Sequence, residues 1–315
     1  MKIIGTEDKR RRRLRRILFG VLGLLVVLGV LVAIPPLVMG DMINLHVQFG
    51  TVYKAEDFDL EARELTLQTM DGYSISAFEV EVPDPKAVII FISGIHNPSV
   101  TSFFGHAQMF RKHGYASILY DMRAHGKSEG GVISLGHLEP IDTKAVVDYI
   151  KAQERYKELP IVVYGLSMGG AVAINSIGQI PEITGLVSMS AFSSWEDVFV
   201  ENMLAMGAPA LLARVQRPFV KLYTLYKFGI KTADIYPKKQ IQNLGDRPAL
   251  LMHSTGDSQV HFANFERIMK EAPDHVETWT RQGDQHMMST DFLHPENDPE
   301  YAERILDFLA ENFGA

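Results

Sequence analysis

The stretch Ile161-Val-Val-Tyr-Gly-Leu-Ser-Met-Gly-Gly170 decides the fold class of this 315-residue chain. Its β-branched first half is typical of a buried strand, and the apolar residues that follow, from Ala171 to Ile177, are typical of a helix. Between them, Gly165-Leu-Ser-Met-Gly169 matches the pattern G-x-S-x-G, which sets a serine on a tight turn between strand and helix. The helix N-terminus behind that serine favours a developing oxyanion. We therefore predict that Ser167 is a nucleophile.

The chain on both sides of this motif alternates between strand patterns and helix patterns. Residues 64–69 and 73–82 alternate in polarity across an Asp71-Gly72 turn, which predicts a β-hairpin. Residues 87–92 are continuously apolar, as in a strand buried on both faces of a parallel sheet. Further strands are predicted at 115–120, 159–164, 185–189, 249–253 and 275–280, and helices near 102–113, 137–156, 167–177, 260–271 and 299–312. This order predicts an α/β fold with a mostly parallel central sheet flanked by helices.

A serine hydroxyl needs a base to take its proton, and a neutral histidine needs a carboxylate to hold its tautomer. Asp257 follows the strand predicted at 249–253, and His286 follows the one at 275–280, so both lie at carboxyl ends of parallel strands. Asp284 is the competing acid, but it is too close in sequence to His286 to approach the ring from the required side. We predict a triad of Ser167, His286 and Asp257, in the chain order Ser…Asp…His.

Residues 62–312 resemble the α/β-hydrolase superfamily of serine hydrolases. The likeness rests on the elbow, on Asp121-Met-Arg-Ala-His-Gly-Lys-Ser128, which looks like the family's D-x-R-x-H-G-x-S loop, and on the loops around Asp257 and His286. The resemblance implies an oxyanion hole formed by the backbone N–H groups of Met168 and of a residue after the third strand, for which we choose Ile95. Many members have His-Gly where this chain has Ser93-Gly94. His96 and Asn97 either line the pocket or finish a turn.

The N-terminus has the pattern of a membrane anchor. Residues 1–16 hold eight basic and two acidic side chains, and no charged residue follows from Ile17 to Gly40. At about 1.5 Å per residue this apolar run nearly spans a bilayer core of about 30 Å. We expect a signal-anchor helix at 17–39 in the membrane, ended by Pro35-Pro36, with the basic tail cytoplasmic and the catalytic domain extracytoplasmic. A cleaved signal peptide is the alternative, with a weak cleavage pattern at Val38-Met39-Gly40.

The remaining chain divides into a stalk and one catalytic domain. We expect residues 40–61 to form the stalk and residues 62–315 the hydrolase domain. Almost sixty residues separate two of its strands, and this Met-, Leu- and aromatic-rich stretch, about 191–246, predicts a helical lid insertion. The other interpretation is a set of helices that pack over the sheet, and the two are compatible.

Composition excludes several classes of function. The chain has no cysteine, so it has no disulfide and no thiolate site. After Arg16 there are 23 basic and 36 acidic residues, and a net charge of −13 argues against a nucleic-acid partner. Gly126-Lys-Ser128 imitates the end of a phosphate-binding loop, but Asp121 stands where its first glycine is required. His286, Asp291 and His294 do not form a convincing metal set, and we expect no metal or cofactor.

The sequence thus predicts a single-pass, membrane-anchored serine hydrolase that cleaves ester or thioester bonds through an acyl-enzyme. The apolar insertion beside a membrane favours a small-molecule or lipid-like acyl substrate, and the bilayer itself is a partner of residues 17–39. Protein partners stay open. The same triad would also serve an acyltransferase, a peptidase or a cofactor-free peroxidase, and a catalytically idle scaffold is the alternative outside enzymes.

Overall fold

The computed structural model of the chain describes residues 4–96 and 98–314, and it is built around one eight-stranded sheet. The strands are β1 Arg63–Gln68, β2 Ser74–Val80, β3 Val88–Ile92, β4 Ala116–Tyr120, β5 Ile161–Leu166, β6 Gly185–Met189, β7 Ala249–Ser254 and β8 Glu277–Arg281. The helices are α1 Ile4–Ile43, α2 Phe104–Lys112, α3 Pro140–Ala152, α4 Met168–Ile177, α5 Trp195–Ala205, α6 Ala210–Val215, α7 Arg217–Phe228, α8 Pro237–Gln240, α9 Ala263–Met269 and α10 Pro299–Phe313. Five short 3₁₀ turns complete the described chain, at Ala55–Phe58, Val100–Phe103, Ile230–Thr232, Ile241–Asn243 and Pro295–Asn297.

The sheet has the order β1-β2-β4-β3-β5-β6-β7-β8, in which β2 is antiparallel to its neighbours β1 and β4 and the strands from β4 to β8 are parallel. The predicted hairpin is therefore confirmed as β1 and β2. Every residue of β3, β4, β5, β6 and β7 is buried, because helices cover both faces of a parallel sheet. The predicted α/β-hydrolase fold is confirmed, and the carboxyl ends of β3 and β5 to β8 meet along one edge of the sheet.

The first helix differs from its prediction. Pro35 and Pro36 do not end it, because α1 continues through both to Ile43. A proline inside a helix removes one backbone hydrogen bond and crowds the preceding turn. Here the turns beyond the prolines are held by packing, since Met39 and Ile43 are buried in the core of the domain. Tertiary contacts therefore override a local signal that would end a free helix.

The segment expected to be a stalk also packs against the domain. Val47 is buried, its N–H donates to Ala124 O over 2.7 Å, and its carbonyl accepts Gly126 N–H over 3.0 Å. Both ring nitrogens of His46 lie within 2.9 Å of backbone carbonyl oxygens, those of Gly126 and Gly130. Further along, Phe58 and Leu60 are buried as well. Residues 40–61 are thus part of the folded domain, and no free stalk separates it from α1.

The apolar part of α1 stands clear of the domain. Within the described chain this helix is long and apolar enough, from Lys9 to Ile43, to cross a membrane, and its most apolar stretch is not covered by other residues. Packing begins near Ile34, which contacts the core. The insertion between β6 and β7 forms α5 to α8, and α1 packs against α7 of that insertion.

Candidate active site

Ser167 lies on a strained turn between β5 and α4. Its φ is 57° and its ψ is −118°, a conformation that non-glycine residues rarely adopt. Its N–H donates to Met189 O over 2.8 Å, which fixes the turn to the neighbouring strand β6. Such strain is common where a side chain must be held at a functional site.

The glycines of the motif are required by close backbone contacts. A β-carbon on Gly165 would lie 2.1 Å from the carbonyl oxygen of Gly169, and one on Gly169 would lie 2.2 Å from that of Ile92. Ile92 is the last residue of β3, so the elbow sits directly against the start of the loop that contains Ile95. The two backbone groups predicted for the oxyanion hole therefore belong to segments that pack against each other. Met168 directly precedes Gly169, and Ile95 follows Ile92 by three residues.

Asp257 and His286 meet although 29 residues separate them. His286 Nδ1 lies 2.8 Å from Asp257 Oδ2, while Asp257 Oδ1 accepts the N–H groups of Gln259 and Val260, each over 2.9 Å. Burial raises the pKa of the Asp257 carboxyl, but the hydrogen bond and charge of His286 and the Val260 N–H lower it more. The net pKa lies below its ordinary value of 3.8, so this carboxylate is ionised at neutral pH.

The loop that carries His286 is fixed by two serines at the ends of neighbouring strands. Ser190 Oγ donates to the carbonyl of His286 over 2.6 Å, and Ser254 Oγ donates to that of Gln285 over 2.8 Å. Sequence analysis did not single out either serine, and each follows or ends a buried strand. Asp284, the rejected acid, is exposed and accepts Ser258 N–H over 2.9 Å.

His253 is a second imidazole beside the same carboxylate. Its Nε2 lies 2.8 Å from Val260 O and 3.5 Å from Asp257 Oδ2. Burial lowers its pKa, so the ring is neutral and Nε2 donates to the carbonyl. Nothing in the sequence indicates this contact, which requires the turn between Ser254 and Val260 to fold back on the strand.

His96 contacts the first helix, which the sequence does not indicate. Its φ is 64°, and its Nε2 lies 2.9 Å from the carbonyl oxygen of Met42, in the last turn of α1. Its N–H is 3.4 Å from His125 Nε2. The loop after β3 is thereby tied both to α1 and to the loop after β4. Asn97, the other predicted pocket residue, lies outside the described residues.

The loop after β4, residues 121–128, is held in place by buried ion pairs and hydrogen bonds. Arg123 is buried and forms ion pairs with Asp142 over 2.6 Å and Asp71 over 2.8 Å. Ser128 Oγ donates to Asp121 O, and Asp121 Oδ1 accepts Val100 N–H over 3.2 Å. Burial raises the pKa of the Asp121 carboxyl to about 7.

A pH-dependent stability follows from Asp121. The unfolded chain loses this proton near 3.8, whereas the folded chain keeps it to about 7, so stability falls as pH rises between the two values. We expect Asp121→Asn to remove this part of the slope in urea unfolding measured from pH 4 to pH 8. The exposed Asp307→Asn is the control, and equal slopes in the wild type and Asp121→Asn would contradict the prediction.

The insertion between β6 and β7 is held together by one buried carboxylate. Asp197 on α5 pairs with Arg217 at the start of α7 and with Lys238 Nζ on α8 over 2.7 Å, and it accepts the hydroxyls of Ser193 and Ser194. Burial raises the pKa of Asp197, but the two cations and the Ser193 hydroxyl lower it by more, so the pKa lies well below its ordinary value of 3.8. One carboxylate therefore joins α5, α7 and α8.

Asp197→Asn should lower the free energy of unfolding by about 2 kcal/mol. The charge-assisted hydrogen bonds of the carboxylate are lost, while the two cations keep partial access to solvent. Because the pKa of Asp197 is depressed on folding, its contribution is present above pH 3.8 and disappears as pH falls through the folded value. Urea unfolding at pH 7 and pH 2 checks this, because pH 2 lies well inside the range over which the contribution is lost, and exposed Asp246→Asn is the control. A loss of stability that is the same at both pH values would disprove the assignment.

Fold and site geometry together define an α/β hydrolase. Comparison with known proteins agrees: residues 83–301 match the family described as serine aminopeptidase, S33, and the chain belongs to this family.

Individual relatives are distant. The chain is 23% identical to the uncharacterized protein YqkD of Bacillus subtilis over 260 residues, 81% of each chain. It is 24% identical to protein bem46 of Schizosaccharomyces pombe over 276 residues, 82% of this chain and 79% of that one. Among solved structures, an esterase of Pyrococcus furiosus, Pf2001, superimposes with a TM-score of 0.68 at 23% identity, covering 87% of this chain and 99% of that chain. That structural likeness supports the fold alone.

Proposed function

We propose that this hydrolase is a membrane-anchored serine esterase or thioesterase with Ser167, His286 and Asp257 as its triad. The observation that carries the proposal is the 2.8 Å contact between His286 Nδ1 and Asp257 Oδ2 at the sheet edge where the strained turn holds Ser167. A carboxylate on Nδ1 directs the free lone pair to Nε2, which is the nitrogen that accepts a proton from a serine.

The reaction proceeds in two halves. Ser167 Oγ attacks the acyl carbonyl carbon, its proton passes to His286 Nε2, and the N–H groups of Met168 and Ile95 stabilise the oxyanion. The tetrahedral intermediate collapses, the leaving alcohol or thiol takes the proton from His286, and the acyl group stays on Ser167. Water then attacks this acyl-enzyme with the same base and releases the acid. Asp257 stabilises the imidazolium formed in each half.

The proposed anchor is α1, with residues 1–16 in the cytoplasm and the catalytic domain on the opposite side. An excess of Lys and Arg on the N-terminal flank supports this orientation. Sealed vesicles of the host membrane with the cytoplasmic face outward test this orientation. Protease added outside these vesicles should leave a C-terminal tag intact until the membrane is opened with detergent. Digestion of the tag in the sealed vesicles would reverse the topology.

A peptidase is the second candidate, because the family is described as serine aminopeptidases. The two are separated by giving the full chain, in detergent micelles, p-nitrophenyl esters of increasing acyl length and aminoacyl p-nitroanilides. The esterase proposal expects kcat/KM on the preferred ester to exceed that on every anilide by about 10² or more, because an amide leaving group needs more help from the acid. Preference for an anilide would make the protein a peptidase. Product analysis with an added alcohol identifies an acyltransferase.

A further inference from the structure

The outer face of the insertion is apolar where a solvent-facing helix would be polar. Helix α7 buries Val220, Thr224 and Phe228, at a spacing of four residues, against the domain. Leu222 and Tyr226 are on the opposite side, and Tyr226 is 85% exposed. Leu211 on α6 and Ile230 after α7 are also about four-fifths exposed, at 79% and 80%. We call Leu211, Val215, Leu222, Tyr226 and Ile230 the lid face.

The charge of this segment opposes that of the rest of the domain. Between Glu201 and Asp234 the sequence contains five basic side chains and no acidic one. They are Arg214, Arg217, Lys221, Lys227 and Lys231. All other residues after Arg16 hold 18 basic and 36 acidic side chains. An apolar face bordered only by Lys and Arg is typical of a helix that lies in the interface of an anionic bilayer.

The position of α1 brings the lid face to the membrane. Its exposed apolar run includes Leu28, Val30 and Val32, and packing on the domain begins near Ile34. Helix α1 packs directly against α7, and no free stalk follows α1. The point at which α1 would leave the bilayer therefore lies beside its contact with α7. The domain has no length of chain with which to stand away from the lipid.

We propose that the lid face lies in the headgroup and upper acyl region of the same anionic bilayer that α1 spans. The inference rests on the proposed anchorage, and it deepens it: the insertion is a second, peripheral membrane contact of the domain. Its occupant is lipid rather than a second copy, because the basic border complements anionic headgroups and would repel an identical border. This contact would bring the insertion of the hydrolase domain to the phase from which a lipid-like acyl group would come.

The absence of cysteine from the sequence gives a direct test with the full chain. Three single-cysteine variants, Ile230→Cys on the lid face, Leu24→Cys in the span and Glu154→Cys, receive the same environment-sensitive fluorophore. Glu154 is exposed and precedes β5, at the amino ends of the strands and therefore opposite the site. Each variant is reconstituted in vesicles of phosphatidylcholine and phosphatidylglycerol, with and without a lipid that carries a nitroxide near the top of its acyl chain.

We expect the nitroxide to quench the labels at positions 230 and 24 by about threefold and to leave the label at 154 unchanged, because an interfacial helix buries its apolar face about 5–10 Å deep. Quenching at 24 without quenching at 230 would overturn the lid contact and leave the anchor intact. No quenching at 24 would overturn the anchor and this inference with it. Crosslinking between copies through Cys at 230, without quenching there, would assign the lid face to a dimer.

Charge reversal separates lipid attraction from simple proximity. Lys221→Glu with Lys231→Glu in the Ile230→Cys chain should return its emission most of the way to the unquenched level. Lys86→Glu with Lys270→Glu changes the net charge equally at the opposite end of the sheet and should have no effect. Equal quenching in both double variants would overturn the anionic-lipid part of the proposal.

Discussion

Ser167→Ala should abolish labelling of the protein by a fluorophosphonate and lower kcat/KM on its best ester by about 10⁴ or more. The variant keeps the β-carbon and the strained backbone, because alanine tolerates the φ of 57° as well as serine does. What it removes is the only atom that the mechanism allows to bond the acyl carbon. Circular dichroism and the unfolding midpoint should therefore match the wild type. The measurement is gel fluorescence of the labelled full chain beside ester hydrolysis.

Two further variants make this experiment specific. Ser74→Ala, at the start of β2 and away from the site, should keep labelling and activity at the wild-type level. Asp257→Asn should lose about 10⁴-fold in rate, because the hydrogen bond to His286 Nδ1 then favours the wrong tautomer. Labelling that persists in Ser167→Ala would assign the nucleophile to another residue, and a folded wild type that never labels would favour an idle scaffold.

Truncation should distinguish a detachable anchor from a helix that belongs to the core. Removal of residues 1–33 deletes the exposed span and should leave a folded, active domain. Removal of residues 1–47 also deletes Met39, Ile43 and Val47, which are all buried. Each such side chain contributes about 1.5–3 kcal/mol by burial, and the loss of about 6 kcal/mol is comparable to the whole stability of a typical domain. We expect this shorter chain to aggregate or to show no cooperative unfolding.

Point variants give the same contrast within one helix. Ile43→Ala should cost about 2–5 kcal/mol in urea unfolding, as for other large-to-small changes in a core. Leu37→Ala lies in the same helix but is 76% exposed, so it should leave the domain's stability unchanged. A chain without residues 1–47 that unfolds with the wild-type midpoint would show that α1 is not part of the core.

The strands of the sheet and the residues of the candidate site could be predicted because their signals in the sequence are local. Short, mostly apolar runs mark β3 to β7, and the turn at Ser167 is encoded in adjacent residues. Asp257 and His286 could be chosen from chain order, since each follows a strand of a parallel sheet and such strand ends gather at one edge. The strand order could not be predicted, because nothing in the sequence of β4 indicates that it lies between β2 and β3.

The N-terminal error has a physical cause. Pro35-Pro36 is a strong local stop signal, but Met39 and Ile43, four residues apart on one face of α1, are buried in the core and hold the helix beyond the prolines. Their spacing alone does not identify the residues that they pack against. The partner is distant: the Trp195 indole N–H lies 3.3 Å from the Met39 sulfur, 156 residues away in the chain. The contacts of His96 and His253 could not be predicted for the same reason, since each depends on how other backbone segments fold around the ring.

If α1 spans a bilayer as proposed, its continuity through two prolines couples the hydrolase domain to the thickness of that bilayer. A span on a flexible stalk can incline without moving the domain beyond it. Here the last turns of α1, beyond the two prolines, are embedded in the domain, so the sheet must rotate with the helix. Transmembrane helices answer hydrophobic mismatch by changing their inclination. In a thin membrane the proposed anchor inclines and carries the sheet edge with Ser167 toward or away from the lipid surface. Under the proposed anchorage, membrane thickness would therefore set the angle between the sheet edge and the lipid surface.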